Sequence, residues 1–276
     1  MSIARDYDSF SEVYEIFKAN DDYKAWFKIL DQLASAHRTN AKMHGLAWDI
    51  GTGTGLMARC LADAGWKVIG TDLSQGMLDK AVLQGPPSIQ YRLADIRRSS
   101  LTEKADYAVA IDDVINTFSS VEDIRSAFSN VFLGLKPNGL FQFDLNTVSI
   151  FEHDMGEVSL TSRGDSLVVI KPLSRYSPDV HLPATVKISV IDKRGNATIV
   201  HETTQSEYYY SSELITQCLV ESGFDLVSVT GMDQEGNLYR EYRNDKVTKL
   251  LFLARKSLTK KGGDSNVEHG KDKQAN

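Results

Sequence analysis

The sequence predicts an α/β fold with a doubly wound, mostly parallel sheet, and three observations predict it. Five short apolar runs, at 46–50, 67–70, 89–93, 107–111 and 140–143, alternate with helical stretches at the spacing of parallel strands joined by right-handed crossovers. The first run opens directly into a glycine-rich turn, Gly51-Thr52-Gly53-Thr54-Gly55. Two further runs, at 224–229 and 246–254, follow a late helical segment and bring the expected sheet to seven strands.

Composition sets the outer limits. The chain has 276 residues, 42% hydrophobic and 25% charged, which suits a soluble globular protein with a sizeable core. Its net charge of −6 argues against a nucleic-acid partner, because phosphate recognition relies on clustered Lys and Arg. No apolar run approaches the roughly 20 residues of a membrane span, and the opening MSIARDYDSF lacks the core of a signal peptide. Cys60 and Cys218 are too isolated for a disulfide framework or a zinc site, and no His-Glu grouping has metal-ligand spacing. A cytoplasmic protein without a structural metal is expected.

Residues 9–38 read as helix. Val13, Ile16 and Phe17, then Trp26, Phe27, Leu30 and Leu33, recur at spacings of three and four. Asn20-Asp21-Asp22 interrupts the pattern, with Asp21 or Asp22 as N-cap of the second helix. The first 44 residues therefore form a helical unit ahead of the α/β core, which begins at 45 and runs to 146. Its helices are expected near 54–64, 74–84 and 121–135, and Lys136-Pro137-Asn138-Gly139 ends the last of these and launches the next strand. Between 147 and 207 the grammar changes: β-rich segments at 167–170, 185–191 and 197–200 follow one another without helices, and Arg194-Gly195-Asn196 suits a hairpin turn. This is read as an antiparallel insert. The core resumes over 208–256, where Ser211-Ser212-Glu213 opens a helix that Gly223 ends. From 257 to 276 there is almost nothing to bury, and a disordered tail is expected.

The glycine loop carries the chemistry. Glycines at i, i+2 and i+4 let the backbone turn tightly and approach a ligand, although a purely structural turn has the same look. The dinucleotide fingerprint wants its third glycine at i+5, where this chain has Leu56. Asp49 at the mouth of the loop is badly placed beside a pyrophosphate but suits a cationic ligand such as S-adenosylmethionine. Asp72, ending the second strand, can accept from both ribose hydroxyls; it can also cap the next helix, a task for which Ser74 is as good. Asp95 ends the third strand, where it can accept from an adenine amino group while Ile96 covers the ring, or be a surface turn residue.

Together these residues resemble the class I S-adenosylmethionine-dependent methyltransferases, Rossmann-like α/β enzymes, over most of residues 45–255. The resemblance implies that Asp49, Thr52 and the backbone of Gly51, Gly53 and Gly55 hold the methionine part of S-adenosylmethionine. It implies that Asp72 holds the ribose and that Asp95 and Ile96 hold the adenine, with Leu73, Met77, Ile111 and Asp112 as further cofactor-binding residues. Members that modify nucleobases or glutamine amides commonly carry an Asn-Pro-Pro-Tyr-like motif there. This chain has Asp112-Asp113-Val114-Ile115-Asn116-Thr117 instead and looks more like the bacterial small-molecule members, among them amino-sugar N-methyltransferases.

The N-terminal stretch with Tyr7, Tyr14, Tyr23 and Trp26 resembles the lid of those enzymes, in which an aromatic residue closes over the cofactor. Trp26 is equally well explained as a core residue. Tyr14 is the candidate for closing over the transferring methyl, Asp113 and Asn116 for orienting the acceptor and His153 for accepting its proton, although Asp113 and Asn116 could equally cap the following turn and His153 could be a solvent-exposed loop residue. The insert would roof the acceptor pocket or pair two copies into a homodimer. The expected activity is methyl transfer to a small molecule, with amine nitrogen ahead of hydroxyl oxygen. A non-catalytic cofactor-binding protein is the alternative of a different class.

Overall fold

The computed structural model describes residues 7–8, 10–38, 45–174, 176–179, 181–194, 197–243 and 246–257. The expected hairpin turn at 195–196 and the tail beyond Ser257 lie outside the described residues.

The N-terminal unit consists of a short helix α1 (Tyr14–Phe17) and a longer α2 (Tyr23–Ser35). Asp22 caps α2, its carboxylate accepting from the Ala25 N–H at 2.9 Å. The alternating region follows as β1 (Leu46–Ile50), α3 (Leu56–Asp63), β2 (Lys67–Asp72), α4 (Gln75–Gln84), β3 (Gln90–Leu93), β4 (Ala105–Ala110), α5 (Val121–Gly134) and β5 (Leu135–Asn146). Ser74 and Ser120 cap α4 and α5 through their hydroxyls. After β5 a separate antiparallel sheet is built from β6 (Ser159–Arg163), β7 (Ser166–Pro172), β8 (Ala184–Arg194) and β9 (Ala197–Glu207) in sequential order. The chain returns to the core as α6 (Ser212–Glu221), β10 (Phe224–Met232), β11 (Leu238–Tyr239) and β12 (Lys249–Lys256).

The main sheet has the order β11-β10-β12-β5-β4-β1-β2-β3. The pairs β3–β2, β2–β1, β1–β4 and β4–β5 are parallel, and β12 inserts antiparallel between β5 and β10. The sheet therefore has eight strands where seven were expected. The additional strand is the two-residue β11, paired to Gly231 and Met232 after a turn in which Asp233 accepts from the Glu235 and Asn237 N–H groups. Two residues leave no alternation to read.

Each face of the sheet buries its own layer. On one side α5 and α6 cover Phe128, Phe141, Phe143, Phe252 and Leu219; the cross-strand pair Phe143 and Phe252 stacks with centroids 4.9 Å apart. On the other, α2 and α3 cover Leu30, Leu61, Tyr107 and Leu253. A third cluster joins the antiparallel sheet to the N-terminal segment, with Val168, Val186, Ile188 and Val190 against Phe10, Val13 and Phe151. The alternation Val186, Ile188, Val190 thus turns one face of β8 inward, over the N-terminal segment. No helix among the described residues is long and apolar enough to cross a membrane.

Candidate active site

The carboxyl ends of β1, β2, β4 and β5 converge on two adjoining cavities, as the topology of an open α/β sheet dictates. The smaller, of about 100 Å³, lies along the glycine loop; the larger, of about 600 Å³, lies beneath the antiparallel sheet. Tyr7, Tyr14 and Asp112 border both.

The loop needs its glycines for conformation. Gly51 has φ +67°, and a Cβ there would stand 2.6 Å from Val114 Cγ2. Gly53, at φ +55°, faces the Tyr14 ring, whose nearest atom would lie 3.8 Å from an added Cβ. Asp72 braces the loop: its Oδ2 accepts from the Gly53 N–H at 2.8 Å and its Oδ1 from the Ser74 N–H at 2.9 Å. Burial nevertheless raises its pKa above the ordinary carboxylate value. Leu73, Met77, Ile96, Thr71 and Ala94 complete the walls with Gly51 and Gly53.

Several expected residues stand elsewhere. Asp49 is buried under the loop rather than at its mouth, accepting from the Thr52 hydroxyl at 2.5 Å, and desolvation pushes it up to about 7. Thr52 turns inward with it, Gly55 caps α3 at φ +84°, and Ile111 packs into the sheet core; none of these lines the small cavity. Asp95 is engaged by Arg97, whose Nε and Nη2 reach its two oxygens at 2.9 and 2.8 Å, and only Ile96 of that pair meets the cavity. Burial acts to raise the Asp95 pKa, and the Arg97 contacts outweigh it to bring the pKa below the ordinary value.

Trp26 lines the larger cavity instead, with the Lys249 ammonium 5.7 Å from its ring centre. Asn116 is wholly buried, its Nδ2 donating to the Tyr208 carbonyl at 2.9 Å and its Oδ1 accepting from the Asn146 N–H at 3.0 Å. With both ends engaged it ties three segments together and lines neither cavity. His153 is exposed on a π-helical turn (Ile150–Asp154) that buries Phe151 and Met155, and its imidazole is not on a cavity wall.

The charged centre is a cluster the sequence reading largely missed. Asp112 and Asp113 both adopt φ +72°, a strained conformation for non-glycine residues that recurs at functional sites. The Asp144 carboxylate holds the turn by accepting from the Asp112 N–H at 2.8 Å. Asp112 faces the N-terminal unit, accepting from Tyr14 Oη at 3.0 Å, Tyr23 Oη at 2.8 Å and Lys18 Nζ at 2.7 Å. Asp113 faces Lys249, whose ammonium also donates to Asp144 at 2.7 Å and Asn146 Oδ1 at 2.8 Å.

Burial works to raise the pKa of Asp112, but Lys18 and Lys249 overcome it and bring the group to about 2. Desolvation wins at Asp144, pushed up to about 6, and at Glu207, which sits well above the ordinary range. Burial and the Asp112 charge raise Tyr14, keeping it a neutral phenol that donates. Lys18, Asp144, Glu207 and Lys249 were legible only as charged residues within or beside otherwise apolar runs, a combination rarely buried without a purpose.

The small cavity presents two carboxylates and, among the described residues, no Lys or Arg. That suits the cationic S-adenosylmethionine and not an anionic pyrophosphate. A methyltransferase domain model matches residues 47–139, from β1 and the glycine loop through the end of α5 into β5. A protein of Geobacillus sp. (strain WCH70), named as a methyltransferase, is 26% identical over 259 residues, spanning 91% of this chain and 99% of its own length.

Among solved structures, an S-adenosylmethionine-dependent methyltransferase from Clostridium acetobutylicum superposes with a TM-score of 0.75 at 19% identity, covering 91% of this chain and 99% of that one. CalS10, an amino pentose methyltransferase from Micromonospora echinaspora solved with S-adenosylmethionine bound, gives 0.66 at 14%, covering 90% and 96%. With this fold, a matched methyltransferase domain and a nearly end-to-end relative named as a methyltransferase, the chain is a class I S-adenosylmethionine-dependent methyltransferase.

Proposed function

We propose that the enzyme methylates an amine nitrogen of a small molecule held in the 600 Å³ cavity. The charge of that cavity carries the reading. Eight carboxyl residues line it, Asp21, Asp22, Asp112, Asp113, Asp154, Glu207, Asp233 and Glu235, against two lysines that are already paired. Tyr7, Tyr14, Phe17 and Trp26 add aromatic surface, which attracts cations in its own right. An anionic acceptor would be repelled, whereas an ammonium is attracted from solution. The volume falls within the range of small-ligand sites, about 300–1,000 Å³. The fold shared with an amino pentose methyltransferase points the same way.

In this reading Asp72 takes the ribose hydroxyls, Gly51 and Gly53 admit the methionine part, and Met77 and Ile96 flank the adenine. S-adenosylmethionine supplies a methyl group on a positively charged sulfur. The chain's task is then to position the nitrogen and exclude water. Tyr14 and Asp112 stand where the two cavities meet, so they are the residues that orient the acceptor toward the donor. Tyr7 closes the same boundary, and Gln205 on β9 donates to its hydroxyl at 3.1 Å. The N-terminal helices are thereby a lid and the antiparallel sheet a roof.

The test is a panel of small primary and secondary amines, phenols and carboxylates incubated with S-adenosylmethionine, read by mass spectrometry for a gained methyl group and for S-adenosylhomocysteine. Methylated amines support the reading. Methylation confined to phenols or carboxylates overturns it.

A further inference from the structure

Glu207 ends β9, at the point where the antiparallel sheet rejoins the core through the Tyr208 N–H bond to the Asn116 carbonyl at 2.7 Å. The residue is 4% exposed yet lines the larger cavity. Oε2 accepts from Asn146 Nδ2 at 2.8 Å, and among the described residues no other donor reaches the carboxyl. The opposite end of the Asn146 amide accepts from Lys249, so the amide is polarised toward Glu207.

The charges around it do not balance. Asp112, Asp113, Asp144 and Glu207 share two ammonium groups. Lys18 is taken by Asp112 and Lys249 by Asp113 and Asp144. Among the described residues, Glu207 is the carboxyl of the four with no cation in an ion pair with it, and it borders the space an acceptor would fill. The groups that face it are Asn146 from β5, Asp112 and Asp113 from the turn after β4, Lys249 from β12 and Tyr7 from the N-terminal segment.

We propose that Glu207 pairs with the ammonium of the acceptor and takes its proton at Oε1, releasing the neutral amine for methylation. The inference rests on the amine reading above and goes beyond it by naming the base. A protonated amine has no lone pair to give. Once its proton is on Glu207, the nitrogen pair forms the new C–N bond as the methyl–sulfur bond breaks with its electrons left on sulfur. One proton is thus shed per methyl transferred, and Glu207 holds it until the product leaves and solvent takes it. A carboxyl raised by burial is matched to this task better than an ordinary one, because its proton affinity lies closer to that of the amine.

Glu207→Gln tests the assignment, since the amide oxygen still accepts from Asn146. S-adenosylhomocysteine affinity by calorimetry reports whether the variant is folded. An amine found in the acceptor panel is then titrated into the cofactor-free protein in two buffers of different ionisation enthalpy. Below the carboxyl's titration, wild type should release a proton on binding the ammonium and Glu207→Gln should release none. In turnover, kcat/KM of the variant should fall about 100-fold near neutral pH. It should recover as the pH approaches the amine's own pKa, where solvent supplies the free base.

Equal proton release in the two proteins, or profiles that run parallel at all pH, would overturn the proposal while leaving the amine reading intact. Wild type that methylates no amine would overturn both. Should Glu207→Gln fail to bind S-adenosylhomocysteine, Glu207→Asp decides: a slower enzyme that keeps the acid limb of the profile supports the base, and loss of that limb refutes it.

Discussion

Asp72→Asn separates the two tasks assigned to one carboxylate. Each oxygen of Asp72 already accepts one backbone N–H, from Gly53 at 2.8 Å and Ser74 at 2.9 Å. A carboxylate has about four acceptor sites, so one remains on each oxygen, enough for two ribose hydroxyls. The amide removes the charge and turns one oxygen into a donor. One ribose bond is lost and the other weakened; with bonds to charged groups at about 1.5–3 kcal/mol each, binding should lose about 2–3 kcal/mol. That is a roughly 30- to 150-fold higher Kd for S-adenosylmethionine and S-adenosylhomocysteine alike. Independently, the new NH2 opposes one backbone N–H, at a stability cost of about 1–3 kcal/mol.

Calorimetric titration with both ligands reads the first effect and differential scanning calorimetry the second. Because burial raises the Asp72 pKa, acidification should bring the wild-type affinity toward that of the variant. A variant with lowered Tm but Kd within threefold of wild type would refute the ribose role and leave Asp72 as a brace of the loop.

Three further outcomes are expected. Gly51→Ala forces a Cβ to 2.6 Å from Val114 at φ +67°, so it should lower stability by about 1–3 kcal/mol and weaken S-adenosylhomocysteine binding, checked by urea denaturation and titration. Asn116→Ala leaves the buried Asn146 N–H and Tyr208 carbonyl without their partner, at about 1–3 kcal/mol each; Tm should fall while S-adenosylhomocysteine affinity persists, and a lost affinity with unchanged Tm would contradict the tie it makes. Asp49 titrates near 3.8 when unfolded and about 7 in the fold, so between those values the folded state keeps a proton that the unfolded state has released. Its contribution to stability therefore falls as pH rises across that window. Denaturant titrations from pH 4.5 to 7.5 should show wild type losing stability relative to Asp49→Asn, and a constant difference would refute the buried proton.

What was legible in the sequence was local. The β1–Gly51–α3 turn and Asp72 announce themselves because a strand end, tight-turn glycines and an acidic residue lie within one βαβ unit, where spacing alone fixes their neighbourhood. For Asp95 the sequence showed an acidic strand end but not its neighbour's geometry: Arg97, two residues on, forks onto its two oxygens, a contact that only the three-dimensional turn creates. The exposure of His153 was hidden for a related reason. The π-helical turn buries Phe151 and Met155, and the geometry that buries them leaves the imidazole outside. Lys249, Asn146 and Glu207 could not be joined by any motif, because their contact depends on the β12–β5 register that sets Lys249 opposite Asn146 and on the path of β9. Long-range pairing writes no periodicity into the chain.

The strained turn at Asp112-Asp113 explains why so many distant residues meet at one place. Adjacent left-handed residues accompany two carboxylates that take different partners, one in the N-terminal helices and the other in β12. A regular end to β4 would not need left-handed φ at either residue, so the strain is the local price of serving both. It is held in place by the Asp144 carboxylate, itself fixed by Lys249. The smaller cavity, the larger cavity and the N-terminal helices therefore share Asp112 as a common wall and anchor. A substitution there would move all three at once, which makes Asp112 a poor probe of any single role. Asp72 on the smaller cavity and Glu207 on the larger each touch one cavity and can be varied separately.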